Sequence, residues 1–366
     1  MVGSRFGRPG AGPGAGRLPA VRAARFVGPG VPIELQDLPD PAPGPNEVVV
    51  RVAACGICAS DLHFIHGEMP LPVPPPVTMG HEASGTISAV GAEAPGWKEG
   101  DRVSVMGGKP CLRCPSCVAG LIEDCQDAQI MGVHYDGAWA EQVVVPWYAV
   151  APIPEGVSFE HAAIACDAVA TPYAALTRRG ALRPGERVGI WGVGGLGTHA
   201  VQIARLAGAS FVVAVDPLPA ARDRALALGA DLALDPSRDD VTNAIRDGTG
   251  GRGLDLAVDA VGRAEAVRQA MFCMVRGGRI VLMGQSFESL DAGPILFLSF
   301  LRIALLGHLG YGKRDLIEVL DLIASGRLDL SRSISDRLPL ERVNDGVDRL
   351  TSKAGAPVRL VVLPQA

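Results

Sequence analysis

The hydrophobic rhythm of this chain changes once, near residue 186, and that change constrains the fold more than any other feature. Before it, from Glu47 to Val145, short β-branched runs separated by Gly and Pro read as strands: EVVVRVAAC, EASGTISAVG, DRVSV and AWAEQVVVP. They predict an all-β, barrel-like region whose loops carry His and Cys. After it, strand and helix alternate: RVGIW, a helix over 196–206, FVVAVD, a helix over 220–228, DLAL, a helix near Val241, LDLAVD, a helix over 264–275, then RIVLMG and RIALLG. Six apolar strands alternating with helices bury both faces as a parallel, doubly wound sheet, so the fold class is α/β. Two further helical stretches follow Gly312, and a closing strand over 358–363 is expected to return to the first region.

At 366 residues the chain can bury two cores, and it holds no internal repeat. A formal charge of -5 argues against nucleic acid or an anionic membrane as the main partner. No apolar run reaches the length of about eighteen residues needed to cross a bilayer, and no signal-peptide core stands at the N-terminus, so a cytoplasmic protein is expected. Residues 1–20 are mostly Gly, Pro, Ala and Arg with nothing to bury. They read as a flexible, weakly basic arm, with the first strand and the native start expected near Val21.

Cys111, Cys114, Cys117 and Cys125 form a Cys-x-x-Cys-x-x-Cys run followed by a seven-residue gap. That spacing lets the backbone wrap one tetrahedral ion, so the four read as a structural zinc site whose folding and metal binding are one event. The alternative is a reduced cluster or two disulfides, which the close spacing and a reducing compartment disfavour. Cys55, Cys58, Cys166 and Cys273 lie singly or within apolar runs and read as reduced thiols.

Gly192-Val193-Gly194-Gly195-Leu196-Gly197 follows the strand RVGIW and opens a helix. Such a loop makes a tight turn, lets the backbone approach a pyrophosphate and sets the anion on a helix N-terminus. A glycine loop alone can be a plain turn. Here Asp216 ends the next strand, nineteen residues beyond Gly197, where a carboxylate accepts both ribose hydroxyls and repels a 2'-phosphate. Pro217, Leu218 and Pro219 supply no cation, so NAD is expected over NADP; Asp216 as an N-cap of the following helix is the competing reading.

Cys58-Ala59-Ser60-Asp61-Leu62-His63 and Gly80-His81-Glu82 complete a set of four separated motifs. Together they make the chain resemble the zinc-dependent medium-chain alcohol dehydrogenases over about residues 21–364. The resemblance implies a GroES-like β-barrel catalytic domain, 21–170 with 308–366, and a Rossmann domain, 171–307, with the active site between them. It implies one catalytic and one structural zinc, NAD, and a small alcohol or carbonyl substrate. Cys58 and His81 are then zinc ligands. The third is Asp167 or its neighbour Cys166, and counting back from Thr171 and Tyr173 in the family's register favours Asp167. Catalytic zinc wants three protein ligands and an open fourth position, which agrees.

By the same resemblance Glu82 is a carboxylate beside the metal and Asp61 the partner that fixes the His81 tautomer. Ser60 takes the alcohol proton and His63 relays it to solvent. Thr171 faces the nicotinamide, Leu196 presses on the nucleotide, Gly262 turns to let adenosine pass, and Arg359 meets the pyrophosphate from the other domain. Ala59 departs from the Arg or His that many members place there. Gly107 and Gly108, where some relatives have an aromatic wall, suggest a roomier pocket for a secondary, cyclic or aromatic alcohol or a polyol. Competing functions are a zinc-free quinone or enoyl reductase of the same superfamily and a silent cofactor-binding protein. Both would be free to lose ligands that this chain retains. A homo-oligomer, dimer or tetramer, is expected, because an apolar strand around 295–306 would pair with a partner's sheet edge.

Overall fold

The computed structural model describes residues 20–366. Of the expected arm only Ala20 is among the described residues, and it opens the first strand, Ala20–Phe26, which pairs with Glu34–Pro39 and Val77–Thr78. A seven-stranded sheet is built around Glu47–Ile57, where alternating and continuous Val and Ala bury the strand on both sides. One edge of that strand is shared. Its first half pairs with Gln142–Pro146, and its last three residues pair with Arg359–Leu363. Its other edge pairs antiparallel with Glu82–Val90, through two register shifts that bend it. Two neighbouring inner strands of this sheet lead into the site: Ile57 runs into Cys58, and Glu82 follows His81.

The second sheet has six parallel strands in the order Leu232–Leu234, Phe211–Val215, Arg187–Trp191, Leu254–Asp259, Met274–Leu282, Ala304–Gly307. The order reverses beside Arg187–Trp191, the first strand in sequence, and a crevice opens at that point of a doubly wound sheet. Apolar clusters cover both faces: one includes Ile190, Val201, Val212 and Val258, the other Trp191, Val213, Ile245 and Ile280. A third cluster, around Trp139, Ile57 and Val362, fills the first sheet.

One helical run joins the two halves. It begins at Phe159, where the Ser158 hydroxyl accepts from His161 N at 3.1 Å, and continues to Arg179. Its first segment packs on the strands Glu47–Ile57 and Glu82–Val90, and its later segment, Ala170–Ala174, packs on the helix Gly197–Leu206 of the second sheet. Between them, Ala165–Val169 is one wide π turn, a local underwinding that recurs at functional sites. The closing strand does pair with the first sheet, as the apolar run over 358–363 suggested.

Two expectations are corrected, and two strands stand where none was expected. The segment Ile295–Leu301 is a helix rather than a strand, started after Pro294 and stopped by Arg302 in the left-handed region, and only Ala304–Gly307 is strand. A short apolar run has no period to separate the two states, and the flanking proline decided it. Val275 belongs to the strand Met274–Leu282, not to the preceding helix. Finally, Glu34–Pro39 and Ile334–Pro339 are strands that carry little apolar signal, because both are largely exposed. Among the described residues no helix is long and apolar enough to cross a membrane.

Candidate active site

Cys58 follows the central strand and caps the short helix Ala59–Ile65, and His81 immediately precedes the neighbouring strand. Gly80 is required between them and the core: its φ is +93°, and a Cβ there would stand 2.3 Å from the Trp139 ring. Asp167 comes from the π turn of the joining helix. These three segments bring Cys58 Sγ within 3.4 Å of Asp167 Oδ2, and His81 Nε2 within 3.8 Å of the same oxygen. Zinc bonds of about 2.0–2.3 Å at tetrahedral angles set donors about 3.3–3.8 Å apart, so this donor set fits one zinc ion. Glu82 belongs to the same group, with all four ligand atoms within 4.8 Å of one another. Cys166 does not. Its thiol donates to Ala163 O at 2.8 Å, and burial pushes it above the usual thiol range.

Each donor is braced by a second residue. Asp167 Oδ1 accepts from the Thr171 hydroxyl at 2.6 Å, one turn on, which leaves Oδ2 facing Cys58 and His81. Asp61 Oδ2 accepts from Cys58 N at 2.9 Å, and its Oδ1 stands 3.3 Å from His81 Nδ1, so one carboxylate caps the helix and faces the imidazole. Glu82, fully buried, has Arg359 Nη2 at 2.8 Å from Oε1, an ion-pair distance without hydrogen-bond alignment. Burial pushes the Glu82 carboxyl well above the usual carboxylate range, against the pull of Arg359. Burial acts on Asp167 in the same direction, but the His81 ring and Arg359 outweigh it and hold that carboxyl well below its usual range. The two carboxylates are therefore set apart: Asp167 is anionic for a cation, and Glu82 is matched to Arg359.

Ser60 Oγ lies 3.4 Å from His81 Nε2, on the rim of the donor cluster. His63, one turn further along the helix and a quarter exposed, pairs through Nδ1 with Glu68 at 2.5 Å. Among the described residues no hydrogen bond joins Ser60 to His63. Glu68 had no signal in the sequence, since a carboxylate five residues beyond a histidine is common on any loop.

All eight cysteines of the chain are free of disulfides, and in the lobe Cys111, Cys114, Cys117 and Cys125 converge with Sγ atoms within 4.8 Å of one another. Backbone amides point at the sulfurs: Cys111 N donates to Cys125 Sγ at 3.2 Å and Cys114 N to Cys111 Sγ at 3.3 Å. Four convergent sulfurs with amide donors beside them suit one zinc ion.

The glycine loop forms the predicted cradle. A Cβ at Gly197 would overlap Gly192 O, one at Gly195 would come 2.9 Å from Arg359 Nη1, and one at Gly194 would meet nothing within 4 Å. The open side at Gly194 and the cation beyond Gly195 fit a diphosphate. Asp216 Oδ2 accepts from Val193 N at 2.7 Å and Oδ1 from Leu218 N at 2.8 Å; the N-cap of the next helix is Leu218, so the capping reading is set aside. Leu196 packs on the core cluster beneath the loop. At Gly262, φ is +78° and the crowding atoms belong to Gln285, so this chain's own backbone requires the glycine. Thr171 O accepts from His308 Nε2 at 3.1 Å.

Three residues here escaped the sequence reading. Arg224 donates to Val193 O at 2.6 Å and to Thr198 Oγ1 at 3.1 Å, and His199 bridges Gly195 O and Ser333 Oγ at 2.8 and 2.9 Å. Arg222 reaches back to Asp216 O at 2.8 Å. Pro217 to Pro219 indeed lack a cation, but the next helical turns supply two. Their partners are known only once the strand ends are adjacent. Gly107 is also not open space: its amide donates to the hydroxyl of the partly buried Tyr311 at 3.3 Å, and a Cβ would come 3.0 Å from His81 O. An aromatic ring thus arrives from a distant segment, and only Gly108 faces nothing within 4 Å.

Comparison with known proteins agrees with this geometry. Residues 44–155 match the alcohol dehydrogenase GroES-like domain, and residues 195–325 match the zinc-binding dehydrogenase family. An alcohol dehydrogenase of Geobacillus stearothermophilus is 37% identical over 320 residues, covering 87% of this chain and 93% of the relative. The sorbitol dehydrogenase of Bacillus subtilis is 30% identical over 336 residues, 91% of this chain and 94% of its own. Among solved structures, a protein of Sinorhizobium meliloti described as a zinc-binding dehydrogenase, bound to NADP, superposes with a TM-score of 0.87 at 32% identity, covering 94% of this chain and all of its own.

Proposed function

The chain belongs to the zinc-dependent medium-chain dehydrogenases and is a zinc-dependent alcohol oxidoreductase, and on that footing we propose that it moves hydride between NAD and a secondary, cyclic or aromatic alcohol or a polyol. One observation carries the reading. The buried Arg359 side chain lies 2.8 Å from Glu82, 3.7 Å from Asp167 and against Gly195, so the metal donors and the diphosphate cradle are one side chain apart. When bound, zinc supplies Lewis acidity that eases loss of the alcohol proton, and the nicotinamide accepts the hydride.

The chain's residues then divide the work. Cys58, His81 and Asp167 hold the reacting zinc, while Cys111, Cys114, Cys117 and Cys125 hold a second that stiffens the lobe. Ser60, beside the metal donors, takes the alcohol proton as its hydroxyl gives up its own, and His63, paired with Glu68 near solvent, passes a proton out. Asp216 takes the ribose hydroxyls and repels a 2'-phosphate, which favours NAD. Thr171 lies beneath the nicotinamide through its backbone, its hydroxyl being held by Asp167. The substrate class draws support from the open side of Gly108 and from the sorbitol dehydrogenase among the relatives. We assign residues 21–170 with 308–366 to the catalytic domain and 171–307 to the cofactor domain, and the enzyme to the cytoplasm. We also assign it a homo-oligomeric state, dimer or tetramer, because the edge strand Ala304–Gly307 lies beside exposed Ile295, Leu296 and Phe300.

The test is a panel of alcohols with NAD and with NADP, read by absorbance of the reduced cofactor, alongside metal analysis. Expected are two zinc per chain, preference for NAD, and a higher kcat/KM for secondary or cyclic alcohols than for ethanol. Ethanol as the best substrate would refute the substrate class, and better turnover with NADP would refute the cofactor assignment.

A further inference from the structure

Two arginines flank Asp216, and the structure uses them differently. Arg224 turns toward the glycine loop, where Val193 O, Thr198 Oγ1 and Ala356 O occupy its guanidinium. Arg222 turns the other way, toward the end of the next strand. There its Nη1 lies 3.1 Å from Asp235 Oδ2 while also donating to Asp216 O at 2.8 Å, and the pair is 19% and 9% exposed. Asp235 is a prepared acceptor. Its Oδ1 takes Ser237 N at 3.0 Å and the Ser237 hydroxyl at 2.6 Å, bonds that with Arg222 keep its carboxyl below the usual range. Asp216 and Asp235 stand at adjacent strand ends, Asp216 N donating to Leu234 O at 3.0 Å.

Resting on the reading of Asp216 as the ribose carboxylate, we propose that Asp235 is a positioning residue for cofactor choice, holding and neutralising Arg222 so that no free cation offsets the repulsion of a 2'-phosphate by Asp216. The rejection of NADP is then set by two carboxylates. One faces the ribose, and the other disarms the guanidinium that could serve a phosphate in its place. A guanidinium is the natural phosphate partner, because its planar fork offers paired donors. Arg222 donates to Asp216 O, so removing the Asp235 charge leaves its guanidinium to offset the Asp216 carboxylate without moving any glycine of the cradle.

The experiment uses the zinc-loaded full chain and reads binding: dissociation constants for NADH and NADPH from cofactor fluorescence, and for 5'-ADP and 2',5'-ADP from calorimetry. Asp235→Asn keeps the shape and the acceptor for Ser237 but removes the charge. It should tighten NADPH and 2',5'-ADP by about tenfold, the worth of one charge-assisted hydrogen bond, with NADH and 5'-ADP within about twofold. In the Asp235→Asn, Arg222→Gln double variant the gain should vanish. An unchanged NADPH to NADH ratio in a folded Asp235→Asn protein would overturn the proposal. Arg222→Gln alone gives a second arm should Asp235→Asn fail to fold. It should leave the ratio as it is, because Arg222 is already occupied, and a loss of NADPH affinity beyond about threefold would overturn the proposal by showing the arginine available to phosphate. Wild-type protein that binds neither NADH nor 5'-ADP would instead refute the dinucleotide site itself.

Discussion

The two metal-donor clusters of this chain are opposites in construction. In the lobe, four sulfurs come from residues 111–125 and the amides that support them come from the same loop. At the active site, Cys58, His81 and Asp167 come from two strands and a helix that are adjacent only after the first sheet has formed and the joining helix has packed on it. One brace comes from farther still, Arg359 in the closing strand, while Thr171 stands one turn beyond Asp167 in the joining helix. A local cluster folds around its ion and touches little else. A cross-element cluster is held by the whole fold, so its residues report on metal, cofactor and stability at once.

The largest test of that contrast exchanges one ligand in each cluster. Cys58→Ser should keep its fold and one zinc while kcat/KM falls by about a thousandfold or more, since a catalytic ligand set loses a thiolate and its Lewis acid. Cys114→Ser should also lose one zinc but with the reverse profile: the lobe opens, and protease cleaves near residues 111–125 while the remaining folded enzyme still turns over. Equal losses of activity in both variants would erase the distinction. Next in size is Arg359→Leu. The guanidinium is buried against a fully buried Glu82, and removing one partner of such a pair costs about 3–5 kcal/mol. Denaturant unfolding of Arg359→Leu should show that cost together with weakened NADH binding, because the side chain also faces the Gly195 cradle.

Acid separates the two regions further. Burial holds the His199 imidazole, between Gly195 O and Ser333 Oγ, down to about 4. An unfolded histidine titrates near about 6.5, so between these values the unfolded chain binds the extra proton and the folded one does not. Stability from neutral His199 is therefore complete above about pH 6.5, falls as the pH drops toward 4 and levels off below it, a span worth about 3 kcal/mol. His199→Asn should flatten that slope in urea unfolding between pH 4 and 6.5, with zinc loss measured in parallel and subtracted. The same slope in variant and wild type would remove His199 from the account.

What the sequence made legible follows the same division. The cysteine spacing, the glycine loop and Asp216 are short-range patterns with a period or a fixed count, and each forms the local structure its spacing implied. Cys58, His81 and Asp167 were reachable through resemblance, and the structure brings them together. Arg224, His199 and Tyr311 were not legible, because their meaning lies in Val193, Ser333 and Gly107, partners that only the tertiary fold delivers, and Glu68 was not, because its spacing from His63 is common on any loop. Thr171 is the instructive middle case. Its placement next to Asp167 was readable as one helical turn, but the hydroxyl turned out to serve the carboxylate.

That hydroxyl provides the smallest and most selective test. Thr171 Oγ1 donates to Asp167 Oδ1 at 2.6 Å, and both residues are largely buried, so no water replaces the bond readily. Thr171→Val keeps the shape and removes the donor, which should cost about 1 kcal/mol of stability. The larger consequence is for geometry, because Asp167 is then free to turn Oδ2 away from Cys58 and His81. Loss of such an outer partner weakens metal affinity by about tenfold to a hundredfold, so competition with a chelator should strip one zinc earlier from Thr171→Val and leave the other unchanged. Thr171→Ser, which keeps the donor, should restore the wild-type order. If both zinc ions left Thr171→Val together, the two clusters would be coupled after all, and the separation between a local site and a cross-element one would fail.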